Sequence, residues 1–353
     1  MDRFAGMRFN ELTRTATAVA LGGAAVMAPA DVLAVAVTGT GTGAFMINAG
    51  NAIWWLNNNI TFATTSNNWG FSEGSLSGGV FDDAFDGAVS WLVATGTPTS
   101  ADGYRSPGGT IDISPAYPTN PAVATTATGS VQVMAGLNVH GEIYFPTNRA
   151  VARSILVLQN PTGAPITVNV ETANNWGSDN NTTYDATSSG DALYDPSDNW
   201  TVSSQSNPPT CCDPPLTYAF NQNGSAIRGT ANPIPVTGNG FMAMFYTVTI
   251  PAGQTRRLMA FMQMSTSVAG AIATAPTFNT AAGLAGAGLL NGLTPAAALQ
   301  IVNWNGVALA AALGGTAVPT LGEWSLIALA SLLGLLGMRT MAGAIRPRRY
   351  PAA

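Results

Sequence analysis

Residues 154–171, SILVLQNPTGAPITVNVE, carry the clearest secondary-structure signal in this 353-residue chain. The first six residues form an apolar β-rich run, and the last six alternate so that Ile166, Val168 and Val170 share one face. Between them, the NPTG segment at 160–163 has a proline that presets φ and a glycine that permits φ > 0. The stretch therefore predicts two antiparallel strands joined as a hairpin.

A second pattern of this kind covers residues 241–264. FMAMFYTVTI (241–250) and TRRLMAFMQM (255–264) flank the turn PAGQ, and they predict a second hairpin. Residues 241–246 are apolar on both faces, which predicts a central strand. Residues 40–145 hold short runs such as AIWWL (52–56), separated by Gly, Asn, Pro and Ser, without the 3.6-residue period of an amphipathic helix. The predicted fold class is all-β, with one or two antiparallel β-sandwiches.

Charge is scarce and unevenly placed. Charged residues make up 9% of the chain, and all 13 basic residues are arginine. Residues 31–317 hold six arginines against 15 acids, a net charge of −9. Such an acidic body argues against nucleic-acid binding, which requires a basic surface for the phosphates.

The N-terminus is typical of an export signal. Arg3, Arg8 and Arg14 precede the weakly apolar run TATAVALGGAAVMAPA (15–30), which ends in an A-x-A pattern at Ala28 and Ala30. We therefore predict a signal peptide over residues 1–30, handled by an export translocon and a signal peptidase. The alternative is a disordered Ala-rich end.

The remainder divides into four predicted segments. These are an N-terminal β domain at 31–145, a β-sandwich domain at 146–266, an Ala/Gly-rich helical linker at 267–316 and a C-terminal segment at 317–353. In the linker, Thr294 and Pro295 form an N-cap and N1 pair that predicts a helix over 296–304.

The C-terminal segment predicts a membrane helix. The run from Trp324 to Met338 is uncharged over 15 residues, and continuing it to Ile345 reaches the roughly 20 residues of a membrane span. An arginine-rich end follows, which the positive-inside rule places in the cytosol.

The start of this segment resembles the bacterial IPTL-CTERM sorting signal. Pro319, Thr320, Leu321 and Trp324 match its pattern. The proposed sorting motif comprises Val318, Pro319, Thr320, Leu321, Glu323 and Trp324.

Two positions differ mildly, because Val318 replaces the usual Ile and Ser325 replaces a common Gly. The resemblance implies a precursor held transiently in the inner membrane. An exosortase-like membrane cysteine transpeptidase would cleave it near the motif, and the product would reach the cell surface or the extracellular space.

Two groups of residues in the body could carry catalysis. His140 is the only histidine and no G-x-S-x-G motif accompanies it, so an ordinary strand or loop residue is expected. Asp82, Asp83 and Asp86, with Glu73 nearby, could supply the paired carboxylates of a glycoside hydrolase. The competing interpretation of the three aspartates is a solvated turn.

Two other groups could bind ligands. Asp179, Asp185 and Asp191, followed by two further aspartates at 195 and 198, are candidate Ca²⁺ ligands in Asn- and Ser-rich loops. They lack EF-hand spacing, so plain Asx turns are the alternative. The adjacent Trp54 and Trp55 could form a sugar platform, or at least one of them could pack in the core.

The adjacent Cys211 and Cys212 leave three states open: a vicinal disulfide, free thiols, or a bond to another chain. From the whole sequence we expect a noncatalytic exported surface or matrix protein without a cofactor. A secreted carbohydrate-active hydrolase and a calcium-stabilised carbohydrate-binding module are the alternatives.

Overall fold

The computed structural model describes residues 35–38, 45–61, 67–76, 81–85, 87–106, 110–114, 123–175, 182–191, 193–205, 212–231 and 241–314. The strands of the first half are β1 (Val35–Thr38), β2 (Phe45–Ala49), β3 (Ala52–Thr61), β4 (Asn67–Leu76), β5 (Gly87–Ala94), β6 (Thr110–Ser114), β7 (Thr125–Gly129), β8 (Gln132–Met134) and β9 (Leu137–Phe145). Those of the second half are β10 (Val151–Gln159), β11 (Ile166–Asn175), β12 (Thr183–Thr187), β13 (Trp200–Ser204), β14 (Leu216–Ala219), β15 (Thr230–Ala231), β16 (Phe241–Ile250) and β17 (Thr255–Met264).

These strands form two antiparallel sheets. The first sheet has the order β1-β6-β7-β9-β10-β17-β14-β13-β12, with β8 paired to β9, and the second has the order β15-β16-β11-β5-β4-β3-β2. The all-β prediction is confirmed for the described residues. Both sheets mix strands from the two predicted β segments, because β9 pairs with β10 and β5 pairs with β11. The boundary predicted after residue 145 therefore falls inside one two-sheet body.

The two predicted hairpins are wrong in their pairing. β10 pairs with β17 in the first sheet, and β11 pairs with β16 in the second. Each predicted turn therefore carries the chain from one sheet to the other instead of folding it back on its neighbour. The turn chemistry is as expected: Asn160 Oδ1 accepts from the Thr162 amide at 2.9 Å, and Gly253 has φ of 66°.

The two turns are bonded to each other at one end of the sandwich. The Asn160 amide donates to the carbonyl of Gln254 at 2.9 Å, and the Gly253 amide donates to that of Thr162 at 3.1 Å. Asn160 is fully buried, and its Nδ2 also donates to the Ile250 carbonyl at 3.0 Å. Asn160 thus supplies hydrogen bonds to backbone groups that would otherwise lack a partner at the point where the chain leaves the two sheets.

The main core lies between the sheets and is rich in aromatic rings. Trp54, Phe71, Phe85 and Phe145 form a cluster with ring centroids 5.1–5.9 Å apart. Polar side chains also cross this core, because Trp91 Nε1 of β5 donates to Ser154 Oγ of β10 at 3.0 Å. Burying paired polar groups in this way costs little stability and fixes how the sheets are aligned.

The segment predicted as a linker is a packed layer on the outer face of the first sheet. Its helices are α1 (Val268–Thr274), α2 (Ala281–Gly286), α3 (Pro295–Leu299) and α4 (Gly306–Ala312). Phe278 and Trp304 pack with the outward-facing Phe261 of β17 in a second apolar core. Because the outer faces of β10 and β17 are apolar, they require such a cover.

The predicted cap of α3 is confirmed, since Thr294 Oγ1 accepts from the Ala297 amide at 3.1 Å with Pro295 at N1. The helix ends at Leu299 instead of residue 304. From Gln300 the chain runs beside β17: the Arg257 amide donates to the Gln300 carbonyl at 2.8 Å. The Val302 amide donates in turn to the Arg257 carbonyl at 3.0 Å, so the chain after α3 satisfies backbone groups at an open edge of β17.

Among the described residues, no helix combines the length and apolar character needed to cross a membrane. The predicted signal peptide at 1–30 and the predicted membrane helix beginning at Trp324 lie outside the described residues.

Candidate functional site

A charged cluster lies on the outer face of the first sheet, where the helical layer ends. His140 and Glu142 lie two residues apart on the same face of β9. His140 Nε2 is 3.2 Å from Glu142 Oε1. Arg257 of β17 reaches both oxygens of Glu142 through one nitrogen, at 3.0 and 3.1 Å. The Arg257 Nε donates to Gln300 Oε1 at 3.0 Å. The cluster therefore links β9, β17 and the chain that follows α3.

The environment of Glu142 keeps its carboxylate charged. Burial alone would raise its pKa, but the hydrogen bond with His140 and the charge and hydrogen bond of Arg257 together hold the pKa below its usual value. The side chains of His140 and Glu142 are 25% and 24% exposed, so solvent reaches both. A carboxylate whose pKa lies below its usual value is ionised near neutral pH and cannot serve as a general acid there. The geometry is that of an ion-paired clamp.

The predicted hydrolase residues have backbone roles in the described region. The amides of Asp82 and Asp83 donate to the carbonyl of Cys212 at 3.0 and 3.2 Å, next to a bridge between Phe81 and Cys212. Asp86 lies outside the described residues. The segment is thus tied to a distant loop through its main chain.

Cys212 is disulfide-bonded. Its sequence neighbour Cys211, the other cysteine of the chain, lies outside the described residues.

The two predicted calcium ligands that the structure describes lie in consecutive elements of the chain. Asp185 lies in β12, where burial raises its pKa, whereas Asp191 belongs to the following loop. Asp191 Oδ1 accepts from the Leu193 amide at 3.0 Å and from Ser189 Oγ at 2.8 Å. These local bonds lower the pKa of Asp191. Within the described ranges, no three His, Cys, Asp or Glu side chains converge on one metal position, and Asp179 lies outside those ranges.

Two further aspartates also bond to the backbone of this loop, Asp195 in an Asx turn and Asp198 across nine residues. Asp198 Oδ1 accepts from the Ser189 amide at 2.9 Å, and Asp195 Oδ1 accepts from the Ser197 amide at 2.6 Å. Asp198 is fully buried. The loop is therefore organised by its own carboxylates, in agreement with the Asx-turn interpretation.

The adjacent tryptophans face opposite ways, as the strand alternation predicts. Trp54 is fully buried in the main core, whereas Trp55 is half-buried on the outer face of the second sheet. Core packing is thus confirmed for Trp54.

A cleft of about 370 Å³ that was not predicted from the sequence lies on the outer face of the second sheet. Its lining includes Asn169, Arg228, Phe245 and Thr247. The guanidinium of Arg228 donates five hydrogen bonds, all to acceptors between residues 196 and 223. All its donors are therefore occupied by the protein. Arg228 holds the acidic loop in place.

Glu171 lies on the same outer face and is not involved in any ion pair described here. Its register neighbours are Leu92 of β5 and Phe245 of β16. Burial raises the pKa of Glu171 to about 7. The alternation of β11 predicts that Glu171 faces away from the core. Its apolar neighbours come from other strands, so the rise in its pKa could not be predicted from the sequence of β11.

A family model for the IPTL-CTERM motif matches residues 316–347. The chain therefore carries an IPTL-CTERM sorting motif, which indicates an exported protein processed at a membrane by an exosortase-type system. The motif begins directly after the described body, which ends at Gly314, and its residues lie outside the described ranges. Comparison with curated protein sequences found no match.

Solved structures give only distant similarity. A putative aldose 1-epimerase from Klebsiella pneumoniae aligns at 12% identity and a TM-score of 0.34. The alignment covers 53% of this chain and 65% of the epimerase chain, which is less than two thirds of the epimerase's length. A galactose mutarotase-like protein from Lactobacillus casei aligns at 11% identity and a TM-score of 0.38, covering 63% of this chain and 100% of the other.

Proposed function

We propose that this chain is a noncatalytic protein of the bacterial cell surface or extracellular matrix. It is exported through its N-terminal signal and sorted through its C-terminal segment by an exosortase-like transpeptidase. The observation that carries the proposal is the IPTL-CTERM motif at 316–347. It begins two residues after Gly314, the last described residue of the folded body.

The body suits a structural or adhesive role outside the cell. Two antiparallel sheets share one continuous aromatic-rich core, and a helical layer covers the apolar outer face of the first sheet. A surface polar through amides and hydroxyls, with 9% charged residues, fits an exported β protein.

Four of the described carboxylates have structural roles, which supports a noncatalytic body. Glu142 is held by Arg257, Asp191 and Asp198 organise a loop, and Asp102 accepts from the amide of Thr99 at 2.8 Å. Groups occupied in this way maintain structure, whereas a hydrolase requires two carboxylates free to face a substrate. The hydrolase alternative rests on Asp82, Asp83 and Asp86 with Glu73 nearby, and the backbone amides of Asp82 and Asp83 donate to the Cys212 carbonyl.

The proposal is tested by following the tail in a bacterium that encodes an exosortase-like enzyme. Pro319→Ala and Trp324→Ala should each leave an unprocessed precursor in the inner membrane, detected by fractionation and immunoblotting. Ser325→Gly is the matched control, because it introduces a residue common in this motif and should be processed normally. Normal processing of both alanine variants would refute the sorting assignment.

A further inference from the structure

A polar pocket of about 300 Å³ lies where β17 ends and α1 begins. Its polar lining consists of Asn148, Arg149, Gln263, Ser265, Thr266 and Thr274. No aspartate or glutamate of the described chain lines it, although the body between residues 31 and 317 has 15 acids. Arg149 is thus the one charged residue among those that line the pocket, so the lining itself carries a positive charge.

The guanidinium of Arg149 is the positive group of this pocket. No hydrogen bond or ion pair joins it to any described residue, and its Nη1 is buried without an acceptor. By contrast, Arg257 pairs with Glu142, and Arg153 Nη1 donates to the carbonyls of Leu289 and Asn291 at 2.6 and 3.0 Å, although Arg153 Nε and Arg105 Nε are also buried without an acceptor. A buried donor without an acceptor is costly unless a ligand supplies one.

The backbone that carries Arg149 is fixed by its surroundings. Gly50 and Asn51 form the turn between β2 and β3 with φ of 63° and 62°, and a Cβ at Gly50 would collide with the carbonyl oxygen of Arg149. The next residue, Ala150, accepts from the amide of Met264 at 3.0 Å. Backbone contacts therefore hold Arg149 beside the end of β17, and they do not involve its guanidinium.

The rest of the pocket offers neutral hydrogen-bonding groups. Gln263 Nε2 donates to Ser265 Oγ at 3.2 Å and to Thr274 Oγ1 at 2.6 Å. Because Ser265 Oγ accepts from Gln263, its own proton remains available for a ligand. Neutral hydroxyls and amides around a single cation match a ligand with one negative group and several hydroxyls.

We propose that this pocket binds a sugar acid, with the carboxylate on Arg149 and the hydroxyls on the neutral polar groups around Ser265 and Gln263. The planar guanidinium pairs with a planar carboxylate through two parallel hydrogen bonds. One arginine balances the single charge of a carboxylate, whereas a phosphate monoester carries −1.5 to −2 and would remain partly unbalanced. The inference is independent of the C-terminal motif and of how the protein is sorted.

Isothermal titration of the purified full chain with galacturonate tests the assignment. Galactose, which has the same ring without the carboxylate, and inorganic sulfate and phosphate are the comparison ligands. We expect binding of galacturonate, at least about tenfold weaker binding of each comparison ligand, and loss of about tenfold or more in affinity for Arg149→Met. Arg149→Lys should retain part of the affinity, because it keeps the charge and loses the planar pairing.

Arg256→Met is the matched control, since Arg256 lies outside the pocket and donates only to the adjacent Thr255 carbonyl. Its galacturonate affinity should equal that of the wild type. If Arg149→Met fails to fold, Ser265→Ala tests the same pocket, because the Ser265 amide still donates to the Pro215 carbonyl. The proposal is overturned if galacturonate does not bind, if galactose, sulfate or phosphate binds equally well, or if the pocket variants bind like the wild type.

Discussion

The side-chain amide of Asn303 bonds to both the backbone N–H and the backbone carbonyl of Met259. In a continuous sheet, a neighbouring strand would make these two bonds. Asn303 Oδ1 accepts from the Met259 amide at 2.9 Å, and its Nδ2 donates to the Met259 carbonyl at 2.8 Å. The contact lies where β14 has ended, since β14 pairs with β17 only from Phe261 to Met264. One fully buried amide thus closes an open strand edge and attaches the helical layer to the sheet.

Asn303→Ala should lower the free energy of unfolding by about 2 kcal/mol, because it leaves the buried Met259 amide without an acceptor. The Met259 carbonyl keeps the hydrogen bond from Trp304 Nε1 at 2.7 Å. Thermal or urea denaturation measures this change. Asn305→Ala, which removes only the cap bond from the Ala308 amide, should cost about 1 kcal/mol. Equal costs for the two variants would show that Asn303 does not have this role.

Ser154→Ala should destabilise the protein by about 1–2 kcal/mol, because the buried Trp91 Nε1 loses its acceptor. Ser90 is the matched control: it is also fully buried on the strand of Trp91, but its hydroxyl has no partner among the described residues. Ser90→Ala should therefore be neutral or stabilising in the same chemical denaturation. A loss of stability from Ser90→Ala as large as that from Ser154→Ala would contradict the inter-sheet bond.

Much of this architecture could be predicted from the sequence because it depends on local patterns. Alternation located β11, the NPTG segment located its turn, and Thr294 with Pro295 located the start of α3. What local patterns cannot encode is which strand lies beside which. A turn after Gln159 serves a hairpin or a link between sheets equally well, and only packing of the whole chain selected the latter.

The helical layer illustrates the same limit. Met259 and Phe261 face away from the main core, so the sequence of β17 already contained an apolar outer face. Short Ala/Gly-rich helices have little periodicity of their own, and their packing against that face depends on residues such as Trp304 far along the chain. The pocket at Arg149 was missed for a similar reason, since the lining residues come from two separate parts of the sequence.

Glu171 should make stability fall as the pH rises. Its pKa is raised to about 7 in the folded protein from an ordinary value of 4.5, so the folded state binds this proton more tightly than the unfolded state does. The contribution of protonated Glu171 to the free energy of unfolding is fully present below pH 4.5 and is lost as the pH rises through about 7.

Glu171→Gln should therefore raise stability at pH 8 by about 1 kcal/mol, a value reduced for the partial exposure of the side chain, and should change little at pH 4. Melting curves at the two pH values measure this. A gain at pH 4 equal to that at pH 8 would contradict the assignment.

Glu142 should behave in the opposite way. Its pKa lies below the ordinary value because the bonds with His140 and Arg257 outweigh the effect of burial, so its stabilisation is present above pH 4.5 and lost as the pH falls through its folded pKa. Glu142→Gln should cost about 1 kcal/mol at pH 7 and less under acidic conditions. Urea titrations at pH 7 and pH 3 provide the comparison, and an undiminished cost at pH 3 would exclude the ion-paired clamp.

The most direct test of the proposed export and sorting is the intact mass of the mature protein recovered from the surface or medium of a bacterium with an exosortase-like enzyme. We predict a chain that has lost its first 30 or so residues and has been cut near the motif that begins at residue 316, with any attached group visible as added mass. Recovery of the intact 353-residue polypeptide from the cytosol, uncut at both ends, would contradict the account.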